Sequence, residues 1–374
     1  MNDYFFFLGR NADLSMQEII SFLEVRGIKG NFVLESNIAL FSIEETVNPK
    51  ELIEKLGGTI KIGKAVIIEK NQRDFFRSIE KLNLYEGQEN KLKFTVDVYP
   101  KDDALFAETK GIIDNYFKNE KIRAFYRQSS DTPSASIKFD MEFFVIRFGK
   151  KYYFGKIDGV YDSKNAEFRD MHKPFRRSEY AISPRLAKIL INLSGATENS
   201  LLLDPFCGVG TILQEALLQN INAIGVDVDP GVVENCKRNI SWIRKNYQIK
   251  AEDKIFTSNA IDIPKILQQK IDAIASEPFL IPLITYTPKD TEARKMISKA
   301  KQIYITTLNE LKKILKNEGR VALSLPVMKA RESMVHLNIE EICIETGLRL
   351  VAGPFPESRE GQRVERELVI LENR

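Results

Sequence analysis

LLLDPFCGVGTILQEA (201–216) reads as a buried strand, a glycine-bearing turn and the opening of a helix. An apolar run stops at Asp204, Gly208 and Gly210 follow, and a helical pattern starts at Thr211. Glycines at such a turn let backbone amides approach a ligand closely, and the N-terminus of the next helix favours its polar or anionic end. The following strand, NAIGVDV (222–228), carries Asp227 seventeen residues after Gly210. A carboxylate there can accept hydrogen bonds from both hydroxyls of a ribose. Asn259-Ala260 ends a third strand, where a side-chain amide and a backbone amide can read an adenine edge.

Outward from this turn the pattern repeats. Helices are predicted at 183–193, 211–219 and 230–245, alternating with strands at 201–206, 222–228, 254–258, 271–276 and 319–325. This is the rhythm of an α/β protein with a doubly wound parallel sheet. Two last strands, near 348–354 and 364–371, have no helix between them and imply an antiparallel hairpin at a sheet edge. The first half has a different, α+β rhythm. A strand is predicted at 3–9, a helix from a Ser15-x-x-Glu18 capping box to about Val25, and a hairpin turning at Ser36-Asn37. Asn48-Pro49 starts another helix, KLKFTVDVY (91–99) reads as a half-buried strand, 103–118 as a helix and 143–157 as a hairpin. The expected division is 1–160 for the N-terminal region, 161–181 for a basic linker and 182–374 for the doubly wound domain.

At 374 residues the chain exceeds the usual size of one core. Its 43% hydrophobic and 29% charged residues are those of a globular protein, neither disordered nor membrane-embedded. YFFFLG near the start is too short to span a bilayer, and no signal peptide is visible. Three scattered cysteines (Cys207, Cys236, Cys343) without a CxxC pair argue against a disulfide framework or a zinc site and for a reducing, cytoplasmic setting. The net charge of +3 is unevenly spread: between Val145 and Lys188, eleven Lys/Arg stand against five Asp/Glu, with aromatic residues interleaved. Cations neutralise phosphates and rings stack on bases, so Arg169, Lys173, Phe175, Arg176 and Arg177 are candidate RNA contacts. A solvated linker has the same composition.

Two cofactor classes compete for the glycine turn. A dinucleotide fingerprint needs a third glycine where this chain has Leu213. Asp204 ahead of the glycines also suits a cationic ligand better than a pyrophosphate. S-adenosylmethionine, with an adenosine and a sulfonium but no phosphate, fits both observations.

Residues 201–216, VDVDP (226–230) and EPFL (277–280) resemble the class I S-adenosylmethionine-dependent methyltransferases. RDMHKPFRRSEYAISPRLAKILINLSG (169–195) and the opening FFFLGRNADLSMQEI resemble the THUMP-containing tRNA guanosine N2-methyltransferases more closely. The catalytic half carries the specific motifs; from about 45 to 145 the THUMP-like RNA-binding assignment rests on order and size. The resemblance implies a Rossmann-like methyltransferase domain, tRNA as partner and guanosine N2, at position 10, as acceptor. An activating subunit is left open. It places Ser183 and Pro184 at the edge of the cofactor pocket with Asp204, Phe206, Gly208 and Gly210, and gives the ribose to Asp227 and the adenine to Asn259 and Ala260.

The family's acceptor motif, Asp-Pro-Pro-Tyr, ends the fourth strand. Here that strand is IDAIASEPFL (271–280), and two registers are open: Glu277-Pro278-Phe279-Leu280, preferred by strand length, or Ser276-Glu277-Pro278-Phe279. In either, Glu277 accepts hydrogens of an exocyclic amine, Pro278 stiffens the turn and Phe279 stacks on an extruded base. Glutamate for aspartate, with a proline and the tyrosine missing, leaves a changed acceptor or a binding protein with an inactive methyltransferase-like domain as readings. An adenine-N6 nucleic-acid methyltransferase is a third. Arg359, Arg363 and Arg366 in the last turn are either RNA contacts or an ordinary charged hairpin. His172 lies in the basic linker, and His336 is predicted inside a helix. No metal site is expected.

Overall fold

The computed structural model describes residues 1–129, 139–176, 182–278, 281, 284, 286–357 and 364–374. The elements run β1 (Asn2–Leu8), α1 (Ala12–Glu24), β2 (Gly30–Glu35), β3 (Ile38–Ile43), α2 (Pro49–Lys55), β4 (Thr59–Glu69), α3 (Gln72–Glu80) and β5 (Lys91–Tyr99). They continue with α4 (Asp103–Asn119), β6 (Arg123–Tyr126), β7 (Met141–Phe148), β8 (Lys151–Val160), α5 (Ser163–Met171) and α6 (Pro184–Leu193). Then come β9 (Leu201–Asp204), α7 (Thr211–Leu218), β10 (Asn222–Asp227), α8 (Pro230–Asn246), β11 (Asp253–Thr257), α9 (Ile263–Ile266) and β12 (Ile271–Ser276). The last are α10 (Asp290–Leu311), β13 (Leu315–Lys329), β14 (Met334–Val335), α11 (Ile339–Thr346), β15 (Arg349–Glu357) and β16 (Val364–Glu372).

The chain divides into two compact units. One comprises Met1–Ala12, Ile28–Glu54 and Thr59–Lys164. It is built on an eight-stranded sheet in the order β2-β3-β1-β4-β8-β7-β5-β6. The turn between β2 and β3 places Ser36 at φ 53, where expected, and Asn48 caps α2 by accepting from Lys50 N at 3.0 Å. Its core is strongly aromatic, with Phe75, Phe94, Phe117, Phe143 and Phe154 buried together.

The other unit comprises Asp13–Gly27, Lys55–Gly58 and Asn165–Arg374. Its main sheet has the order β11-β10-β9-β12-β13-β16-β15. Strands β11, β10, β9, β12 and β13 pair in parallel, while β16 is antiparallel to both neighbours. The expected terminal hairpin is present, but with its last strand inside the sheet and β15 at the edge. Strand order reverses between β9 and β12, and sheets of this class bind ligands outside the carboxyl ends of the strands at such a point.

A contiguous boundary near residue 160 misses α1. Leu14 packs with Leu186 and Leu190 of α6 in the core of the second unit. Ser15 also lies within the helix rather than at its cap. Glu18, the supposed capping partner, is wholly buried and accepts from Gly57 N and Gly58 N at 2.7 Å each and from Asn192 Nδ2 at 2.7 Å. Burial pushes its carboxyl up, opposed by those hydrogen bonds. Glu18→Ala removes one acceptor from three buried donors. The expected cost is roughly 3 kcal/mol, read as a lower urea midpoint, and an unchanged midpoint would show that the network carries no stability.

Candidate active site

β9 delivers Asp204 to the carboxyl edge of the sheet, 1% exposed. Ser276 Oγ, at the end of the adjacent β12, donates to Asp204 Oδ1 at 2.6 Å, and Phe206 N donates to the same oxygen at 3.2 Å. Burial, then the negative charges of Asp227 and Glu277, push this carboxyl up to about 7 against the pull of both hydrogen bonds. The glycines differ in purpose. Gly210 has φ +85, and a Cβ there would lie 2.5 Å from Cys236 Sγ, so the turn packs on α8 through bare backbone. Gly208 has φ +52, but a Cβ there would meet nothing within 4 Å, leaving open space over the turn.

Asp227 ends β10 beside that space. Its Oδ2 accepts from Gly208 N and its Oδ1 from Asp229 N, both at 3.0 Å. Exposed Asn259 caps a single 3-10 turn (Ala260–Asp262) by accepting from Ile261 N at 3.3 Å, and Ala260 is buried behind it. Ser183 caps α6 by accepting from Leu186 N at 3.2 Å, and buried Pro184 is the first residue of that helix. Phe206 is partly buried against the core beside the turn.

β12 ends at Ser276, which is wholly buried with its hydroxyl committed to Asp204. Glu277 is the first residue beyond the strand, followed by buried Pro278; Phe279 and Leu280 lie outside the described residues. Glu277 Oε1 pairs with Arg366 Nε from β16. Behind it, Tyr304 of α10 donates to Ser324 O at 3.0 Å. Burial first, and then the Glu277 charge, push that phenol well up.

The basic segment is turned largely inward, which corrects its reading as an RNA face. Arg169 is 6% exposed and forms a two-point pair with Glu215 of α7, Nε to Oε1 at 2.7 Å and Nη2 to Oε2 at 3.1 Å. Burial alone would lower its pKa, but Glu215 reverses the sign and raises it. Lys173 is also buried, its ammonium 3.1 Å from Thr211 Oγ1 at the start of α7 and 3.3 Å from Asp170. Phe175 is held through its backbone by Asn239, accepting and donating at 2.9 Å. Arg176 is exposed, 3.5 Å from Asp170; Arg177 lies outside the described residues. Exposed His172 stacks on Phe168. His336 is not helical: it precedes α11 and meets Glu367 at 2.9 Å. Arg359 and Arg363 lie outside the described residues, whereas Arg366 faces Glu277.

A family described as RMKL-like, methyltransferase domain matches residues 174–345, and one described as DNA methylase matches residues 6–238. The stretch common to both, 174–238, contains the glycine turn, Asp204 and Asp227. The second match covers more than half of the chain, which belongs to that methylase family. The resemblance to the THUMP-domain tRNA guanosine N2-methyltransferase family is borne out by relatives carrying the name tRNA (guanine(10)-N2)-dimethyltransferase. The chain is 30% identical to the relative from Methanothermobacter thermautotrophicus over 155 residues, 41% of each chain. It is 30% identical to that of Pyrococcus abyssi over 169 residues, 44% of each chain. The matches thus span less than half of these relatives. Among solved structures, TrmN from Thermus thermophilus covers 100% of both chains with a TM-score of 0.52 at 13% identity, which shows the fold.

S-adenosylmethionine is the cofactor of this fold and family, and the chain's residues fit it. The space over Gly208 is open, a buried carboxyl stands beneath the turn, and a second carboxylate ends the neighbouring strand. No helix among the described residues is long and apolar enough to cross a membrane, and among them no cluster of His, Cys, Asp and Glu could hold a metal.

The raised Asp204 carboxyl has a consequence for stability. A folded-state pKa above the ordinary 3.8 stabilises fully below pH 3.8, and that contribution disappears as pH rises through about 7. Asp204→Asn keeps both hydrogen bonds to an acceptor oxygen without the buried charge. The variant is expected to gain thermal stability over the parent between pH 4 and pH 7 and to hold that gain above pH 7, with a ceiling of about 4 kcal/mol. A difference that stays flat across that range would overturn the assignment.

Proposed function

We propose that the chain is an S-adenosylmethionine-dependent methyltransferase acting on the exocyclic N2 of a guanosine in tRNA, with position 10 the expected site. The observation that carries this reading is the carboxylate at the exit of β12, next to the glycine turn of β9: Glu277 follows Ser276, which is bonded to Asp204. Bound S-adenosylmethionine supplies a methyl group already activated by its sulfonium charge. The chain's own residues bind and orient. Asp227 exchanges its bond to Gly208 for the ribose hydroxyls, Asn259 and Ala260 meet the adenine, and Phe206, Gly208, Ser183 and Pro184 line the edge. Asp204 offers a negative charge to the cationic end of the cofactor.

The exocyclic amine of guanine is a weak nucleophile because its lone pair is delocalised into the ring. In the register that puts Glu277 first, its carboxylate accepts an amine hydrogen and turns that lone pair toward the methyl group. Pro278 stiffens the turn, and Phe279 is assigned the stacking face by resemblance. The N-terminal α+β unit serves as the THUMP-like tRNA grip, and of the basic segment exposed Arg176 remains a candidate phosphate contact with Arg177.

A second reading, an adenine-N6 nucleic-acid methyltransferase, is favoured by the DNA methylase match, since an adenine amine needs the same acceptors. Incubation of the purified chain with S-adenosylmethionine and unmodified tRNA, followed by nucleoside mass spectrometry, separates them. N2-methylguanosine is expected; N6-methyladenosine would select the second reading, and no methylated nucleoside would leave a binding protein. Calorimetry with the cofactor alone tests the pocket: Asp227→Ala is expected to weaken S-adenosylmethionine binding by about a hundredfold, the loss of two ribose hydrogen bonds to a charged group. Unchanged affinity would mean the pocket lies elsewhere.

A further inference from the structure

The structure brings an arginine to the acceptor end of the site from a strand far along the chain. β16 lies between β13 and β15, with Arg366 opposite Pro326 of β13 and Glu357 of β15. Since Ser276 of β12 is level with Leu323 of β13, Pro326 lies three residues further toward the carboxyl edge. Arg366 is therefore level with the chain just beyond β12, and its Nε reaches Glu277 Oε1. Strand alternation sends the next residue to the other face, where Glu367 meets His336. The Glu277 and Arg366 side chains are only 11% and 17% exposed, so the pair is shielded from water.

Two physical needs meet at this contact. Glu277 and Asp227 both act electrostatically on Asp204 and disfavour its charge, so three carboxyl groups share one edge. A guanidinium offsets that repulsion. Glutamate also has one more rotatable bond than aspartate, and a planar guanidinium restricts where its carboxylate points.

Building on the assignment of Glu277 as amine acceptor, we propose that Arg366 is a positioning residue that keeps the Glu277 carboxylate charged and oriented at the strand exit. It acts through Glu277 and not on RNA phosphate.

The test is a double-mutant cycle in the full chain, using Glu277→Gln, Arg366→Gln, Arg366→Lys and the Gln/Gln double variant. With tRNA and S-adenosylmethionine, Glu277→Gln should lower kcat by about a hundredfold and Arg366→Gln by about tenfold or more. Affinity for the cofactor by calorimetry and for tRNA by filter binding should stay within about twofold. Arg366→Lys should recover most of the kcat, and the double variant should match Glu277→Gln. Multiplying losses in the double variant, or weaker tRNA binding with kcat intact in Arg366→Gln, would overturn the proposal. Full kcat in Glu277→Gln would instead sink the assignment of Glu277, and the proposal with it.

A readout that needs no turnover is carbon-13 NMR of glutamate-labelled protein, with the Glu277 carboxyl signal identified by its loss in Glu277→Gln. Asp204, Tyr304 and Arg366 are charged or titratable groups that interact with it. Its titration midpoint should move up by about one pH unit or more in Arg366→Gln, and an unmoved midpoint would refute the proposal.

Discussion

A single buried hydrogen bond, from Ser276 Oγ to Asp204 Oδ1, ties the carboxyl ends of the two strands at the centre of the catalytic sheet. Everything proposed for the site hangs on that tie. β9 feeds the glycine turn and β12 feeds the proposed acceptor residue Glu277, so in that proposal their relative height sets how a bound cofactor and a base would meet. A buried carboxyl costs free energy unless it is bonded or neutralised, and burial pushes this one up to about 7. Such a group is poised to respond to a cationic ligand, which fits its place beneath the turn.

The second layer of support lies under the start of α7. Glu215, 1% exposed, meets Arg169 from α5 and has Lys188 of α6 within 4.0 Å, while Lys173 reaches Thr211. Basic residues that look like a nucleic-acid face along the sequence thus hold the helix whose N-terminus frames the proposed cofactor site. Burial of one charge calls for a partner, and breaking such a pair is more costly than forming it is stabilising. These contacts fix the position of α7 more than they add to net stability.

Much of the fold was legible in the sequence. The predicted strands and helices of the second half coincide closely with β9 through β16, because periodicity of apolar residues is a local signal. The glycine turn was legible too, since Gly208 and Gly210 both adopt positive φ. Three readings failed for a shared reason. Ser15-x-x-Glu18 matches a capping box, yet Glu18 is drawn to the amides of Gly57 and Gly58, distant in sequence. Arg169 and Lys173 matched a phosphate-binding composition, yet each has an interior partner. His336 sat in a helical pattern, yet it precedes the helix and pairs with Glu367 of β16.

Local sequence preferences account for the order of the main elements, the conformation of the glycine turn and the carboxylates at the ends of β9, β10 and β12. These depend on backbone dihedral preferences and on apolar spacing, which act over a few residues. Packing in three dimensions settles that most of α1 belongs with the second unit, which basic residues face inward, and that Arg366 meets Glu277. A charged side chain carries no local mark of its partner. Where it points is set by which strands the sheet places side by side, and β16 reaches its position only by inserting between β13 and β15.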